Sequence, residues 1–146
     1  MRPPPWSWGP AWDELAAVVL ISTAYAIAIR RYGADRPRVV AFTGSQLLVL
    51  AVFVTPIDTL ALNYLLSAHL FQNVVLAEWA PALAVLGVSP ALARAAGRYR
   101  IVRAITHPLV ALPFWLVTYA VWHIPRIYDG ALRHDALLHV EHANYF

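Results

Sequence analysis

The chain has 146 residues, of which 60% are hydrophobic and only 13% charged, and its mean hydropathy is +0.57. A soluble domain of this length needs more charge on its surface, so the composition excludes that class and points to an integral membrane protein. There is no Cys, and the single Met is Met1, which excludes disulfides, iron–sulfur clusters and sites built on soft sulfur ligands. The net charge of +3 comes from eleven Arg and no Lys, and no basic stripe interleaved with aromatics suggests nucleic acid.

Residues 1–10 carry one Arg and no apolar core, unlike a cleaved signal peptide. The first apolar run, Trp12 to Ile29, is long enough to span a bilayer and ends at Arg30-Arg31. A second, Val39 to Val54, stops at the breaker Thr55-Pro56-Ile57-Asp58, and a third, Asn63 to Val88, closes at Gly87 and Ser89-Pro90. The fourth runs from Ile105 to His123 and stops at Ile124-Pro125. A fifth helix starts near Gly130 or Ala131 and is still running at Phe146; its sixteen or so residues would cover only ~24 Å, too short to cross. The expected fold is therefore an all-α polytopic membrane bundle of four transmembrane spans plus a partial or interfacial fifth helix, in a single domain over 1–146.

Arginine placement orients the bundle. Eight of the eleven lie in two loops, at positions 30, 31, 36 and 38 and at 94, 98, 100 and 103, which the positive-inside rule assigns to the cytoplasm. The N-terminus, the Pro56–Leu62 loop and the Ile124–Arg133 loop then face outward. His69, His123, His134, His139 and His142 converge on that outer face, leaving His107 near the cytoplasmic end.

Four of the six histidines crowd between Trp122 and His142, beside Asp129, Asp135 and Glu141. Imidazole is the commonest metal ligand, and such a cluster at a membrane rim is costly unless something uses it. His139 and His142 are spaced i,i+3, and Asp135 precedes His139 by four, so the three share a helical face on which the carboxylate can orient a ligating ring. A metal site there would draw its partner from His69 or His123; the alternative is a solvated interfacial helix. His134 falls off that face. His69, with Gln72 and Asn73 nearby, is either a ligand or part of an interhelical hydrogen-bond clamp, and His123 is either a ligand or an interfacial anchor. Asp58 reads as a helix cap. Glu78, isolated in the third run, is expected to meet His107 or a loop Arg, because an unpaired intramembrane carboxylate is expensive.

The segments T-P-I-D-T-L-A (Thr55–Ala61), S-A-H-L-F-Q-N (Ser67–Asn73), A-P-A-L-A-V-L-G-V-S-P (Ala80–Pro90), H-P-L-V-A-L (His107–Leu112) and W-H-I-P-R-I-Y-D-G-A-L…L-H-V-E-H (Trp122–His142) resemble the CtaG-type cytochrome c oxidase assembly factors. The resemblance implies a multi-pass protein of the bacterial inner membrane that delivers copper to a haem–copper oxidase subunit, with His69, His123, His139 and His142 as candidate copper ligands and Asp135 behind them. The family pattern around His69 reads H-M-x-Q-H; Leu70 stands here for the Met and Asn73 for the second His. Family members have about seven spans, so the chain reads as a short member or as the N-terminal part of a longer one. No nucleophile–base arrangement or glycine-rich phosphate loop suggests an enzyme. Two other readings stand beside copper handling. One is an accessory or scaffold subunit of a respiratory or photosynthetic membrane complex. The other is a b-type haem protein holding its haem between His69 and His123.

Overall fold

A computed structural model describes residues 2–9, 11–131 and 134–145, with the side chains of Tyr128, Asp135, Leu138, His139 and Tyr145 outside the description. All regular structure among the described residues is helical. The described residues divide into two compact units, one up to Leu92 and one over Ala93–Tyr145.

The first unit is built on α1 (Trp12–Tyr32), α2 (Arg36–Val54), the short α3 (Pro56–Asn63) and α4 (Leu66–Gly87). Helices α1, α2 and α4 are each long and apolar enough to cross a membrane. Their boundaries follow the punctuation of the sequence. Gly33 ends α1 with φ +74°, a conformation open to glycine, and its N–H bonds the Ile29 carbonyl at 2.8 Å. Pro37 lies in the first turn of α2, where its missing N–H removes nothing. At the Thr55-Pro56 break the Thr55 hydroxyl accepts from the Ile57 N–H at 3.3 Å, so Thr55, rather than Asp58, caps α3.

Helix α4 is interrupted by a π turn over Val75–Trp79, in which the Ala80 N–H reaches the Val75 carbonyl. The cause is Pro81. It has no N–H for the Ala77 carbonyl, and its ring would strike that carbonyl in an unbroken α-helix, so the preceding turn widens.

Packing within this unit centres on α2 against the C-terminal half of α4. Gly87 makes their close approach possible: a Cβ there would lie 2.6 Å from Phe42 Cβ and 3.1 Å from the Arg38 carbonyl oxygen. Phe42 also stacks on Tyr25 of α1, ring centroids 3.7 Å apart. The Tyr25 hydroxyl and Arg38 Nη1 donate to the carbonyls of Gly87 and Val88 at 2.9 and 2.7 Å. Two helices thus satisfy the orphan carbonyls at the end of a third. Farther along, α1 and α2 border an open groove of about 380 Å³ lined by Val18, Ser22, Tyr25, Phe42 and Gln46.

The second unit holds α6 (Arg100–Ile105), α7 (Pro108–Trp122), α8 (Pro125–Ala131) and α9 (Asp135–Tyr145), and α5 (Pro90–Ala96) leads into it. Here the expectation changes. The run read as Ile105–His123 yields a 15-residue helix, roughly 22 Å long against a hydrocarbon core of about 30 Å. His107 shortens it at one end, where its Nδ1 accepts from the Leu109 N–H at 3.3 Å and caps the new helix. Only together with α8, across a 69° bend, does α7 reach spanning length. Pro125 starts α8 inside the segment read as a loop, and α9 begins at Asp135 rather than near Gly130. Among the described residues three helices are thus long and apolar enough to cross a membrane, or four if the bent pair is one span, with α9 after them.

Candidate functional site

In the first unit, polar groups gather where α2, α3 and α4 meet. His69 and Gln72 are wholly buried in the first two turns of α4. Gln72 Nε2 donates both to the Val52 carbonyl and to Asp58 Oδ1, each at 3.0 Å. Asp58, expected as a cap, instead receives an amide from another helix. Asn73 Nδ2 lies 3.3 Å from His69 Nε2; an amide nitrogen can only donate, so Nε2 accepts and the ring proton sits on Nδ1. That bond joins two residues one turn apart on α4, whereas the bonds across to α2 and α3 come from Gln72; with the proton on Nδ1, the Nε2 lone pair of His69 is engaged by Asn73. Leu70, standing where the family pattern has Met, is half-exposed.

The N-terminal segment closes over the same end. Thr59 Oγ1 donates to the Ser7 carbonyl at 3.0 Å, Ser7 Oγ to the Pro4 carbonyl at 2.8 Å, and the Tyr64 hydroxyl to the Pro3 carbonyl at 2.5 Å. Trp6, Trp8 and Trp12 project outward beside it, as amphipathic rings do at a membrane–water boundary. Deeper in α2, Ser45 and Gln46 are buried neighbours, with Gln46 Nε2 3.5 Å from Ser45 Oγ. Apolar-run reasoning passed over this pair.

In the second unit His123 follows the last turn of α7. Its Nδ1 lies 2.7 Å from the Tyr119 carbonyl, and its ring rests 4.1 Å from the Tyr119 ring. A carbonyl can only accept, so Nδ1 carries the proton and Nε2 keeps its lone pair on an exposed side chain. On α9, Glu141 is fully buried and His142 nearly so, while His134, ahead of the helix, is exposed. The expected Asp135–His139 pairing lies outside the described side chains. Among the described residues, no group of three or more His, Asp or Glu is placed to hold a metal ion.

Glu78 departs from expectation. It is exposed on the π turn of α4 and forms no ion pair among the described residues; His107 serves instead as a helix cap.

A family model described as cytochrome c oxidase caa3 assembly factor matches residues 23–146. No curated protein and no solved structure matches the chain.

Proposed function

The chain belongs to the cytochrome c oxidase caa3 assembly factor family, and from that premise we propose that it is a non-catalytic factor that accepts copper at the outer face of a bacterial inner membrane and passes it to a haem–copper oxidase subunit. The observation that carries the reading is the posture of His123. Its Nδ1–H is spent on a backbone carbonyl at 2.7 Å, the arrangement that fixes the tautomer of metal-ligating histidines and directs Nε2 outward. His139 and His142 follow on α9 as further donors, with Asp135 to orient them. Imidazole with carboxylate and no sulfur suits Cu(II), and copper is cargo here rather than a resident group. Arginine-rich connections on one side and exposed Trp6, Trp8 and Trp12 on the other support the orientation.

A second reading, an accessory subunit that holds oxidase components together without touching metal, is favoured by one observation. Asn73 occupies the imidazole nitrogen of His69 that a second histidine would have complemented.

The test is purification in gentle detergent from native membranes, with metal analysis and mass spectrometry on one fraction. The copper reading expects stoichiometric copper that is lost in His139→Ala/His142→Ala and reduced in His123→Ala, with copper-depleted oxidase in the corresponding strains. His69→Ala, measured separately, should leave copper in place. A metal-free chain in stoichiometric company with oxidase subunits would overturn copper handling in favour of the accessory role.

A further inference from the structure

Glu78 lies twelve residues from the start of α4 at Leu66 and nine from its end at Gly87. At 1.5 Å per residue that is about 18 Å and 14 Å of helix, close to the middle of the span. Intramembrane carboxylates normally face a bundle interior, a polar cavity or a paired cation. This one is exposed and forms no ion pair among the described residues. Pro81 accounts for the π turn beneath it; nothing in the packing of the unit accounts for an acid on its outer side.

The surroundings of Glu78 form a surface rather than a point. One turn before it is Val74 and one turn after it Ala82, both exposed, with Val85 and Leu86 beyond. Trp79 walls one side, set edge-on to Phe71 with centroids 6.0 Å apart. Small and aliphatic residues flanking one polar group allow close backbone approach and leave a single directional bond to decide the partner.

We propose that this face of α4 docks a transmembrane helix of a different membrane protein, one that carries an Arg or Lys at the level of Glu78. Charge complementarity sets the chemistry, since a carboxylate at mid-depth is matched by a cation. The same argument excludes a second copy of this chain. Its basic residues in α1 and α2 are confined to the terminal turns (Arg30, Arg31, Arg36 and Arg38), α4 and α7 contain no Arg or Lys, and Arg126 of α8 lies beyond the 69° bend. The inference deepens the assembly-factor reading by naming the contact that would hold a membrane partner, and it is independent of copper.

The absence of Cys makes the test clean. A photo-crosslinking residue or a single Cys is placed at Ala82 in the full chain in native membranes, and the adduct is mapped by mass spectrometry. The expected adduct joins Ala82 to a membrane segment of another chain with an Arg or Lys within one turn. Glu78→Leu should lower its yield about tenfold, while Glu78→Gln, which retains a hydrogen-bonding group, lowers it less. Leu in place of the partner's basic residue should act as Glu78→Leu does. Adducts only to lipid, only to a second copy, or to a segment without a basic residue would overturn the proposal, as would an undiminished adduct in Glu78→Leu. Melting of the purified variants, expected unchanged for an exposed side chain, separates lost docking from lost folding. Copper content read on the same samples separates this contact from metal handling: loss of the adduct with copper retained refers to docking alone.

Discussion

Replacing Gly87 by Ala tests the central packing of the first unit. A methyl group there would sit 2.6 Å from Phe42 Cβ and 3.1 Å from both Phe42 Cα and the Arg38 carbonyl oxygen, whereas carbon atoms in contact prefer about 3.5–4.0 Å. Two of these neighbours belong to the backbone of α2, so no side-chain rotation relieves the overlap and the helices must part by about an ångström. Overpacking of this kind costs about 1–3 kcal/mol. Separation also stretches the Tyr25–Gly87 and Arg38–Val88 bonds, each worth about 1 kcal/mol. Against this stands a gain of about 1 kcal/mol in helix propensity, leaving a net loss of about 1–3 kcal/mol, or several degrees in melting temperature. The six tryptophans give a fluorescence melt in detergent. Gly44→Ala is the control, because its Cβ meets only Leu83 Cδ1 at 3.6 Å, an ordinary contact; it should melt at or slightly above the wild type. A Gly87→Ala protein as stable as the wild type would refute the reasoning.

Gln72→Leu removes donors from the Val52 carbonyl and from Asp58 and should cost about 1–3 kcal/mol by the same melt. Gly33→Ala should lose about 1–3 kcal/mol through backbone strain alone at φ +74°, since no atom lies within 4 Å of the added methyl. Tyr25→Phe keeps the stack on Phe42 but gives up the bond to the Gly87 carbonyl, for about 0.5–1.5 kcal/mol. Tyr25→Ala loses both, and the difference between the two variants measures the stack.

Much of the first unit was legible because its three apolar runs are bounded by residues with fixed backbone consequences. Arg30-Arg31 followed by Gly33, Pro37, and Thr55-Pro56 mark the edges of α1 and α2 to within a few residues. Interruptions within apolar runs are harder to see. Pro81 and Pro113 both lie inside runs of high hydropathy, yet one follows a π turn and the other is absorbed in α7, so residue type alone does not tell the two outcomes apart. His107 and Pro108 together stop one helix and start the next, which shortened the fourth run. The buried site was partly readable: an imidazole and two amides on neighbouring turns had to face inward. That Asp58 would take an amide from Gln72 across fourteen residues of chain, while Thr55 made the cap, depends on how α3 folds back and has no local signature.

The bonds from Tyr25 and Arg38 to the carbonyls of Gly87 and Val88 bridge 62 and 50 residues of chain, and this bears on biogenesis. When α1 and α2 first enter the bilayer, the phenol lacks its acceptor, the guanidinium has only Asp35, and the surface of α2 at Phe42 and the Arg38 carbonyl, which Gly87 later meets, is uncovered. The hairpin can insert early, but it cannot lock until the far end of α4 has left the ribosome. During that interval Phe42 and the Arg38 carbonyl are the part of α2 that an insertase or a wrong partner would meet. Translation pausing between Val54 and Gly87 would lengthen their exposure, so the quality of this unit is set as much by the timing of synthesis as by the stability of the finished fold.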